Sequence, residues 1–364
     1  MHKEPLFHLV KRPAIKWYEA WFIRIMSVVF ALIVAGIITL ALTGLNPIKV
    51  YLTMIDGAIG TVRRSWALAQ KTAMLLCIAL ALTPAFRMRF WNTGAEGQVL
   101  AGGMATATVM LLFGNKLPNG LLFVFMFVAA VLAGAVWGVI PAIFKAKWGT
   151  NETLFTLMMN YIAIQIIGYF VLEWSVPKGS GQIGVINQNT QAGWIPAIAG
   201  KAYLVNIIVV IVLTILVYVY LTYTKHGYEI TVVGESERTA RYIGIDVKKV
   251  IIRTMLLSGA ICGIAGFLLV AGSDHTITKD TAGGNGFTAI MVCWLAKFNP
   301  IWMVLTALLI CFLQKGAGEI ATMYQLNLSF SDIITGIIIF FIVGCEFFIN
   351  YRIIFNRHGK EVKA

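Results

Sequence analysis

Long apolar runs recur along most of this 364-residue chain, and most of them are long enough to cross a lipid bilayer. A transmembrane helix needs about 20 predominantly apolar residues. Only 12% of the residues are charged, about half the fraction that a soluble domain carries. These features predict an all-α polytopic membrane protein, and they exclude a disordered chain, a collagen-like fibre and a soluble enzyme.

The apolar runs predict about ten transmembrane helices with short connections. The full-length runs lie near 25–45, 66–86, 94–113, 121–144, 153–173, 204–223, 251–272 and 330–350. A further apolar stretch over 286–313 is interrupted by Asn299-Pro300. Because proline disfavours helix at the residue before it, this stretch predicts two short spans, 286–298 and 300–313.

The distribution of basic residues predicts the orientation of the chain. With ten crossings, most of the 29 lysines and arginines fall in segments on one side, and cytoplasmic segments are the ones rich in these residues. Both termini are therefore predicted in the cytoplasm, and the net charge of +13 needs no nucleic-acid partner. The predicted parts are a cytoplasmic or interfacial segment 1–24, a transmembrane domain 25–350 with an outer loop 174–203 and a cytoplasmic loop 224–250, and a cytoplasmic tail 351–364.

Residues 13–25 interleave aromatic and basic side chains before the first apolar run. That mixture is typical of a helix in the inner headgroup layer, but it fits equally well a simple extension of the first span. The five cysteines are scattered through apolar runs, which predicts buried thiols without a disulfide framework or a zinc site.

No segment of the sequence carries a recognisable catalytic, cofactor-binding or metal-binding pattern. Residues 179–184 match the dinucleotide pattern G-x-G-x-x-G, but they lie in a loop between apolar runs and not between a strand and a helix. There is no P-loop motif, so any use of ATP must come from another polypeptide. The chain is therefore predicted to be non-catalytic, without cofactor or metal.

The segment FWNTGAEGQ at 90–98 places polar side chains at the start of an apolar run. A carboxylate at membrane depth is costly unless it faces a cavity or a partner, which favours a functional role for Glu96. The alternative is that Glu96 lies at the cytoplasmic boundary and caps its own helix, where a carboxylate favours the helix dipole.

The segment GGNGFTAIMVCWLAKFNP at 283–300 joins a glycine-rich start to a short apolar stretch. A short or broken span is tolerated only where protein or a water-filled cavity surrounds it. This segment is therefore a candidate wall of a transport pathway. By contrast, Gly134 with Gly138 and Gly259 with Gly263 have the four-residue spacing of helix-packing faces.

The cytoplasmic loop predicts a short helix of about two turns within residues 234–245. Ser236 is a suitable N-cap, Glu237 and Arg241 form an i, i+4 pair, and Gly244 is a helix stop. Such a helix is too short to be stable alone and needs a surface to dock against, with small and apolar residues such as Ala240 and Tyr242 able to pack.

Three segments resemble bacterial ABC importer permeases for ribose, branched-chain amino acids and nucleosides. FWNTGAEGQ resembles their F-N-I-G-x-E-G-Q signature, VGESERTARYIGI their cytoplasmic coupling segment, and GFTAIMVCWLAKFNP their G-F-x-x-I-x-V-x-L-L-x-x-x-N-P segment. The resemblance extends over about 25–350 and is strongest to the purine nucleoside branch. Departures at Trp91, Thr93, Ser236 and Thr239 concern the substrate branch more than the family.

The resemblance implies a permease that forms the substrate pathway of an ATP-driven importer in the bacterial cell membrane. It implies three partners, namely a second and different permease subunit, a cytoplasmic ATP-binding subunit, and an extracytoplasmic substrate-binding protein. The predicted pathway residues are Trp91, Asn92, Glu96, Gln98, Asn285 and Phe287. The predicted contacts with the ATPase are Glu235, Ser236, Glu237, Arg238, Ala240, Arg241, Tyr242, Gly244 and Ile245.

Other functions remain open at the level of sequence. The substrate could be a ribose-type sugar or a branched-chain amino acid in place of a nucleoside. A secondary transporter with ion-coupling carboxylates at Glu96, Glu319, Asp332 or Glu346 would need inverted repeats, and the chain shows no convincing internal symmetry. A membrane-embedded enzyme would need a nucleophile or a metal constellation, and no segment supplies one.

Overall fold

The computed structural model describes residues 7–12, 16–198, 200–201 and 203–355. Thirteen α-helices and two short strands make up the described chain. The helices are α1 Trp17–Thr43, α2 Pro47–Ile59, α3 Val62–Arg87, α4 Ala95–Phe113, α5 Asn119–Trp148, α6 Glu152–Trp174, α7 Leu204–Tyr223, α8 Lys225–Glu235, α9 Glu237–Tyr242, α10 Val247–Leu269, α11 Asn285–Leu295, α12 Pro300–Met323 and α13 Leu328–Asn350. The strands are β1 Phe7–Lys11 and β2 Tyr351–Phe355, and a π-helical turn Val270–Asp274 extends α10.

Within the described residues, nine helices are long and apolar enough to cross a membrane: α1, α3, α4, α5, α6, α7, α10, α12 and α13. The all-α polytopic fold and all eight predicted full-length spans are confirmed. The predicted short span 286–298 corresponds to α11, which is apolar but has only 11 residues.

The structure corrects one predicted span and adds one helix that the sequence did not predict. The segment 300–313 is not a short span, because α12 continues to Met323. This continuation carries Glu319 into the helix, where Arg64 neutralises its carboxylate in an ion pair. Residues 47–59 form an unpredicted helix, α2, with Asn46 accepting a hydrogen bond from Ile48 N as its N-cap.

The first transmembrane helix begins earlier than its apolar run. Helix α1 is continuous from Trp17, so the described part of 13–25 extends the first span and is not a separate interfacial helix. Residues 13–15 lie outside the described residues. Gly44 ends α1 in the left-handed conformation, with its N–H donating to Leu40 O.

The chain divides into two compact units, of which the first contains both chain ends, up to Ser65 and from Phe312 onward. Its buried core brings together apolar side chains of α1, α2, α12 and α13: Ala31, Ala35, Val50, Met54, Leu313, Ile320, Phe330, Ile334 and Ile338. Arg24 of α1 pairs with Glu346 of α13 at 2.7 Å. In the same unit, β1 and β2 form an antiparallel pair with Phe7 opposite Phe355.

Pairing of β1 with β2 places the two described chain ends on the same side of the membrane, so the chain between them must cross an even number of times. Nine long helices alone would give an odd number. The predicted ten crossings therefore require α11 and the segment before it to complete one further passage.

The second unit, Trp66–Cys311, is built on close contact between α4, α5 and α10. Gly134 of α5 faces Gly259 and Gly263 of α10, and Gly102 of α4 faces Gly263 from the other side. A Cβ atom on Gly263 would overlap the carbonyl oxygen of Ala130. The predicted glycine packing faces thus let three backbones approach directly.

The five cysteines are free and buried, as the sequence predicts. The loop between α6 and α7 is folded onto the end of α10 by hydrogen bonds from Ile186 N to His275 O and from Ile195 N to Ala271 O. The ring of Trp194 in this loop stacks on His275, with ring centroids 3.9 Å apart.

Candidate functional site

The carboxylate of Glu96 holds the N-terminus of α11. Glu96 lies in the first turn of α4 and is only 7% exposed. Its Oε1 accepts a hydrogen bond from Gly284 N and its Oε2 from Gly286 N, both at 2.7 Å. A negative charge at a helix N-terminus satisfies free N–H groups and favours the helix dipole. Glu96 therefore caps a different helix from its own, which neither sequence interpretation foresaw.

Glycines around the N-terminus of α11 make this contact possible. Gly284 has φ +72°, a left-handed conformation that L side chains rarely adopt. A Cβ atom on Gly286 would overlap the backbone of Glu96. The glycine-rich start predicted at 283–286 thus brings the backbone of α11 directly onto the carboxylate.

This contact lies at membrane depth. Asn92 and Gln98 flank Glu96 in sequence, and Asn92 Nδ2 donates to Ser258 Oγ at 3.2 Å. Ser258 lies in the middle of α10, a helix long enough to span the bilayer. The start of α4 therefore lies beside the middle of α10, and Glu96 brings the start of α11 to the same place. A helix of 11 residues is long enough for only part of a bilayer, since each residue adds about 1.5 Å.

Asn92 and Gln98 position the backbone and do not line an open space. Both side chains are buried, with Asn92 fully so. Asn92 Oδ1 accepts hydrogen bonds from Gly94 N at 3.0 Å and from Gln98 Nε2 at 3.2 Å. The polar atoms of Asn92 and Gln98 are thus used within the chain to hold the backbone, and their contact with the pathway stays a prediction.

Two residues of α6 complete this polar cluster and were missed by the sequence interpretation. Asn160 Oδ1 accepts from Gly97 N at 2.8 Å, and its Nδ2 donates to Thr93 O at 2.8 Å. Thr156 Oγ1 contacts Thr93 Oγ1 at 2.9 Å. A buried asparagine inside an otherwise apolar span was the available signal, because such a side chain needs partners.

The other predicted pathway residues are more accessible. Phe287 is 46% exposed on α11 and Asn285 is half-buried. Trp91 is 45% exposed, and its ring stacks on Trp294 near the other end of α11. Glu96, Asn285 and Phe287 thus gather at the start of α11, whereas Trp91 lies at its end.

The predicted coupling helix exists as α9. Ser236 Oγ accepts from Thr239 N at 3.2 Å as the N-cap, Arg241 pairs with Glu237 at 3.4 Å, and Gly244 ends the helix with φ +85°. Helix α8 precedes α9 and is anchored to α10 by an ion pair between Glu229 and Arg253 at 2.8 Å.

One detail of the coupling prediction is corrected. Ala240 is fully buried against the chain itself, so it does not lie on a docking surface. The side chains that α9 and the residue after it leave in solvent are Tyr242, 92% exposed, and Ile243, 51% exposed. Glu235, Glu237, Arg238, Arg241 and Gly244 are also exposed, whereas Ser236 and Ile245 are half-buried.

A bundle of long apolar helices that encloses a short helix capped in its interior is an arrangement found in transport proteins. The chain belongs to the family described as the branched-chain amino acid transport system permease component, whose match covers residues 66–343. The resemblance drawn from the three sequence segments is therefore confirmed, and the chain is a multi-pass permease with a role in substrate translocation.

Several characterised permeases are similar to almost the whole chain. A glucose ABC transporter permease of Haloferax volcanii is 29% identical over 93% of this chain and 92% of its own length. A nucleoside ABC transporter permease of Lactococcus lactis is 28% identical over 94% of both chains. A guanosine ABC transporter permease of Bacillus subtilis is 27% identical over 85% of this chain and 89% of its own.

Proposed function

We propose that this chain is the pathway-forming permease subunit of an ATP-driven nucleoside importer in the cell membrane. The observation that carries the proposal is the N-terminus of α11, held at membrane depth by Glu96 in a chain of the permease family. Similarity to a nucleoside permease and a guanosine permease over most of the chain supports the substrate class.

The ATPase is proposed to dock on α8 and α9. These helices present exposed Tyr242 and Ile243 beside charged side chains, which is a surface suited to a protein partner. The positive-inside rule supports a cytoplasmic location for this segment and for both chain ends. A second permease subunit and an extracytoplasmic substrate-binding protein complete the proposed assembly.

A glucose permease is the second candidate, because a relative with that name is similar over 93% of the chain. An ion-coupled transporter is disfavoured because three of its four candidate carboxylates are engaged within the chain, and the fourth, Asp332, is exposed on α13. Glu319 pairs with Arg64, Glu346 pairs with Arg24, and Glu96 is engaged by backbone N–H groups.

Uptake by the assembled transporter tests the proposal. The chain is expressed with its ATP-binding subunit, partner permease and binding protein in a host without nucleoside uptake, and radiolabelled guanosine and glucose are supplied separately. We expect ATP-dependent accumulation of guanosine alone. Accumulation of glucose alone would assign the second candidate, and ATP-independent uptake driven by an ion gradient would overturn the ATP-driven mechanism.

A further inference from the structure

An aromatic cavity of about 400 Å³ lies in the second unit beside α8. Pockets for small molecules in proteins typically enclose about 300–1000 Å³. Aromatic rings and guanidinium groups supply nearly the whole lining, which consists of Phe86, Arg87, Arg89, Trp91, Thr231, Trp294 and Phe298. This cavity is distinct from the polar cluster around Glu96, because it lies at the opposite end of α11.

The rings of the aromatic cavity are fixed by one another and still leave open surface. Trp91 and Trp294 stack with ring centroids 5.5 Å apart and an interplanar angle of 28°. Phe86 contacts Trp91 edge-on at 5.9 Å and stacks on Phe298 at 6.1 Å. Trp91 remains 45% exposed and Trp294 48% exposed. A flat ring that enters the cavity can therefore stack on tryptophan without first separating the pair.

The guanidinium groups give the cavity hydrogen-bond donors. Arg87 Nε donates to Phe298 O at 3.3 Å, which fixes the base of its guanidinium at the wall. Arg89 is exposed. Arginine carries planar donors that match the adjacent O6 and N7 acceptors of a guanine ring, and it stacks on aromatic faces as well. The lining thus combines stacking surfaces with donors for a heteroaromatic ring, and it contains no carboxylate.

The position of the cavity links it to the coupling segment. Thr231 of α8 contributes to the lining, and Gly234 of α8 approaches the carbonyl oxygen of Arg87 so closely that a Cβ atom there would overlap it. A displacement of α8 toward this segment would therefore press on the backbone of Arg87 and Met88. The cavity lies where a bound ring would experience any movement that the ATPase imposes on α8.

We propose that the aromatic cavity is a subsite for the base of a nucleoside on the coupling side of the translocation route, with Trp91 and Trp294 as its stacking surface. The inference rests on the proposed function, because it identifies the part of the substrate that this subsite recognises. Stacking of a base on an aromatic side chain is sequence-tolerant, since every base presents a π-face. The subsite therefore accepts nucleosides through their bases and does not favour a sugar such as glucose.

Photolabelling of the purified complex with 8-azidoguanosine tests the subsite. Irradiation should label peptides containing residues 86–91 or 294–298, and free guanosine should compete while glucose should not. Trp294→Ala should reduce labelling about tenfold, the loss expected on removing one stacking contact, and Trp294→Phe should retain most of it. Trp302→Ala is the matched control, because Trp302 is 56% exposed and does not line the cavity.

Guanosine uptake by the same variants separates failure of the subsite from failure of the proposed function. If the wild-type transporter accumulates guanosine but labelling is the same in Trp294→Ala and Trp302→Ala, the subsite is wrong and the function stands. If glucose competes as well as guanosine, the heteroaromatic specificity is wrong. If the complex accumulates glucose and not guanosine, the proposed substrate class itself fails. Trp294→Phe controls for a folding defect. Labelling retained in this variant shows that loss of the aromatic ring causes the decrease in Trp294→Ala.

Discussion

At the scale of single residues, Glu96 has the clearest structural task. Its two carboxylate oxygens accept from two backbone N–H groups that lie 188 and 190 residues further along the chain. The sequence predicted that Glu96 matters, since a carboxylate next to an apolar run is unusual. It could not predict the partner, because nothing local in FWNTGAEGQ indicates which helix end will meet it. The partners of Asn160 were unpredictable for the same reason, although an asparagine inside an apolar span indicates that it needs partners.

Glu96→Gln is expected to lower nucleoside uptake strongly while the protein still reaches the membrane. Glutamine retains one acceptor oxygen but turns an NH₂ group toward one N–H donor of α11, and an unsatisfied buried donor costs about 1–3 kcal/mol. Initial uptake rates and the Tm of the purified complex measure both effects. Asp332→Asn is the control, because Asp332 is an exposed carboxylate on α13. Normal uptake by both Glu96→Gln and Glu96→Leu would refute this role.

His275 predicts a pH-dependent attachment of the loop between α6 and α7. Burial lowers the pKa of His275, whose ring stacks on Trp194. The docked loop therefore favours neutral imidazole, so this stabilisation is present above the ordinary pKa of about 6.5 and is lost as the pH falls below it. After correction for the intrinsic, base-catalysed exchange rate, the amides of residues 183–195 should show lower protection factors at pH 5.5 than at pH 7.5. His275→Phe, which keeps the stack without a titrating group, should remove the difference. An equal difference in that variant would exclude His275 as its source.

At the scale of helices and strands, the hydropathy pattern located every long span because lipid demands long apolar helices. The hydropathy pattern was wrong where a charged side chain in a helix is paired with an opposite charge from a distant segment. Helix α12 continues through Glu319 because Arg64 pairs with it, and α2 has only 13 residues, too few for a spanning pattern. The start and end of α9 could be predicted from the sequence, because Ser236, Arg241 and Gly244 act within α9 or at its ends.

Helix α9 is expected to tolerate Tyr242→Ala as a folded element but to lose its coupling to the ATPase. Tyr242 is 92% exposed, so its removal leaves the chain's own packing intact and deletes a large contact surface for a partner. Substrate-stimulated ATP hydrolysis and uptake should both fall several-fold. Tyr169→Ala is the control, because Tyr169 is 72% exposed on α6.

Burial of Ala240 gives the opposite expectation for Ala240→Trp. A bulky side chain cannot fit at this fully buried position, so the amount of folded permease itself should fall.

Full coupling in Tyr242→Ala, measured on a complex that pulls down the ATPase normally, would show that the exposed face of α9 is not the contact.

At the scale of the whole molecule, the prediction concerns which side of the membrane the two chain ends face. The antiparallel pair of β1 and β2 requires an even number of crossings, and the positive-inside rule predicts that both ends face the cytoplasm. Single cysteines at Ser180 and Arg238, both exposed, report on the two sides. The native cysteines are buried and should give little background.

A membrane-impermeant maleimide should label Ser180→Cys in intact cells and label Arg238→Cys only after the cells are opened. Gly336→Cys serves as a control for labelling within the bilayer, because it lies in the transmembrane helix α13. The reverse pattern would invert the topology, and labelling of both loop positions in intact cells would contradict the predicted number of crossings.

The division of the chain into two units bears on the order in which the protein can assemble during synthesis. The second unit is a single continuous stretch, Trp66–Cys311, so every residue it needs has been made while the last helix is still being translated. The first unit draws on both chain ends, since the buried face of α1 packs against α13 and β1 pairs with β2. Until α13 has been made, α1 exposes residues that belong in a protein core, which is the condition under which nascent chains are retained by quality control or degraded. A nonsense mutation near residue 328 would therefore leave the unit that contains Glu96 with all its residues, and would still remove the protein from the cell.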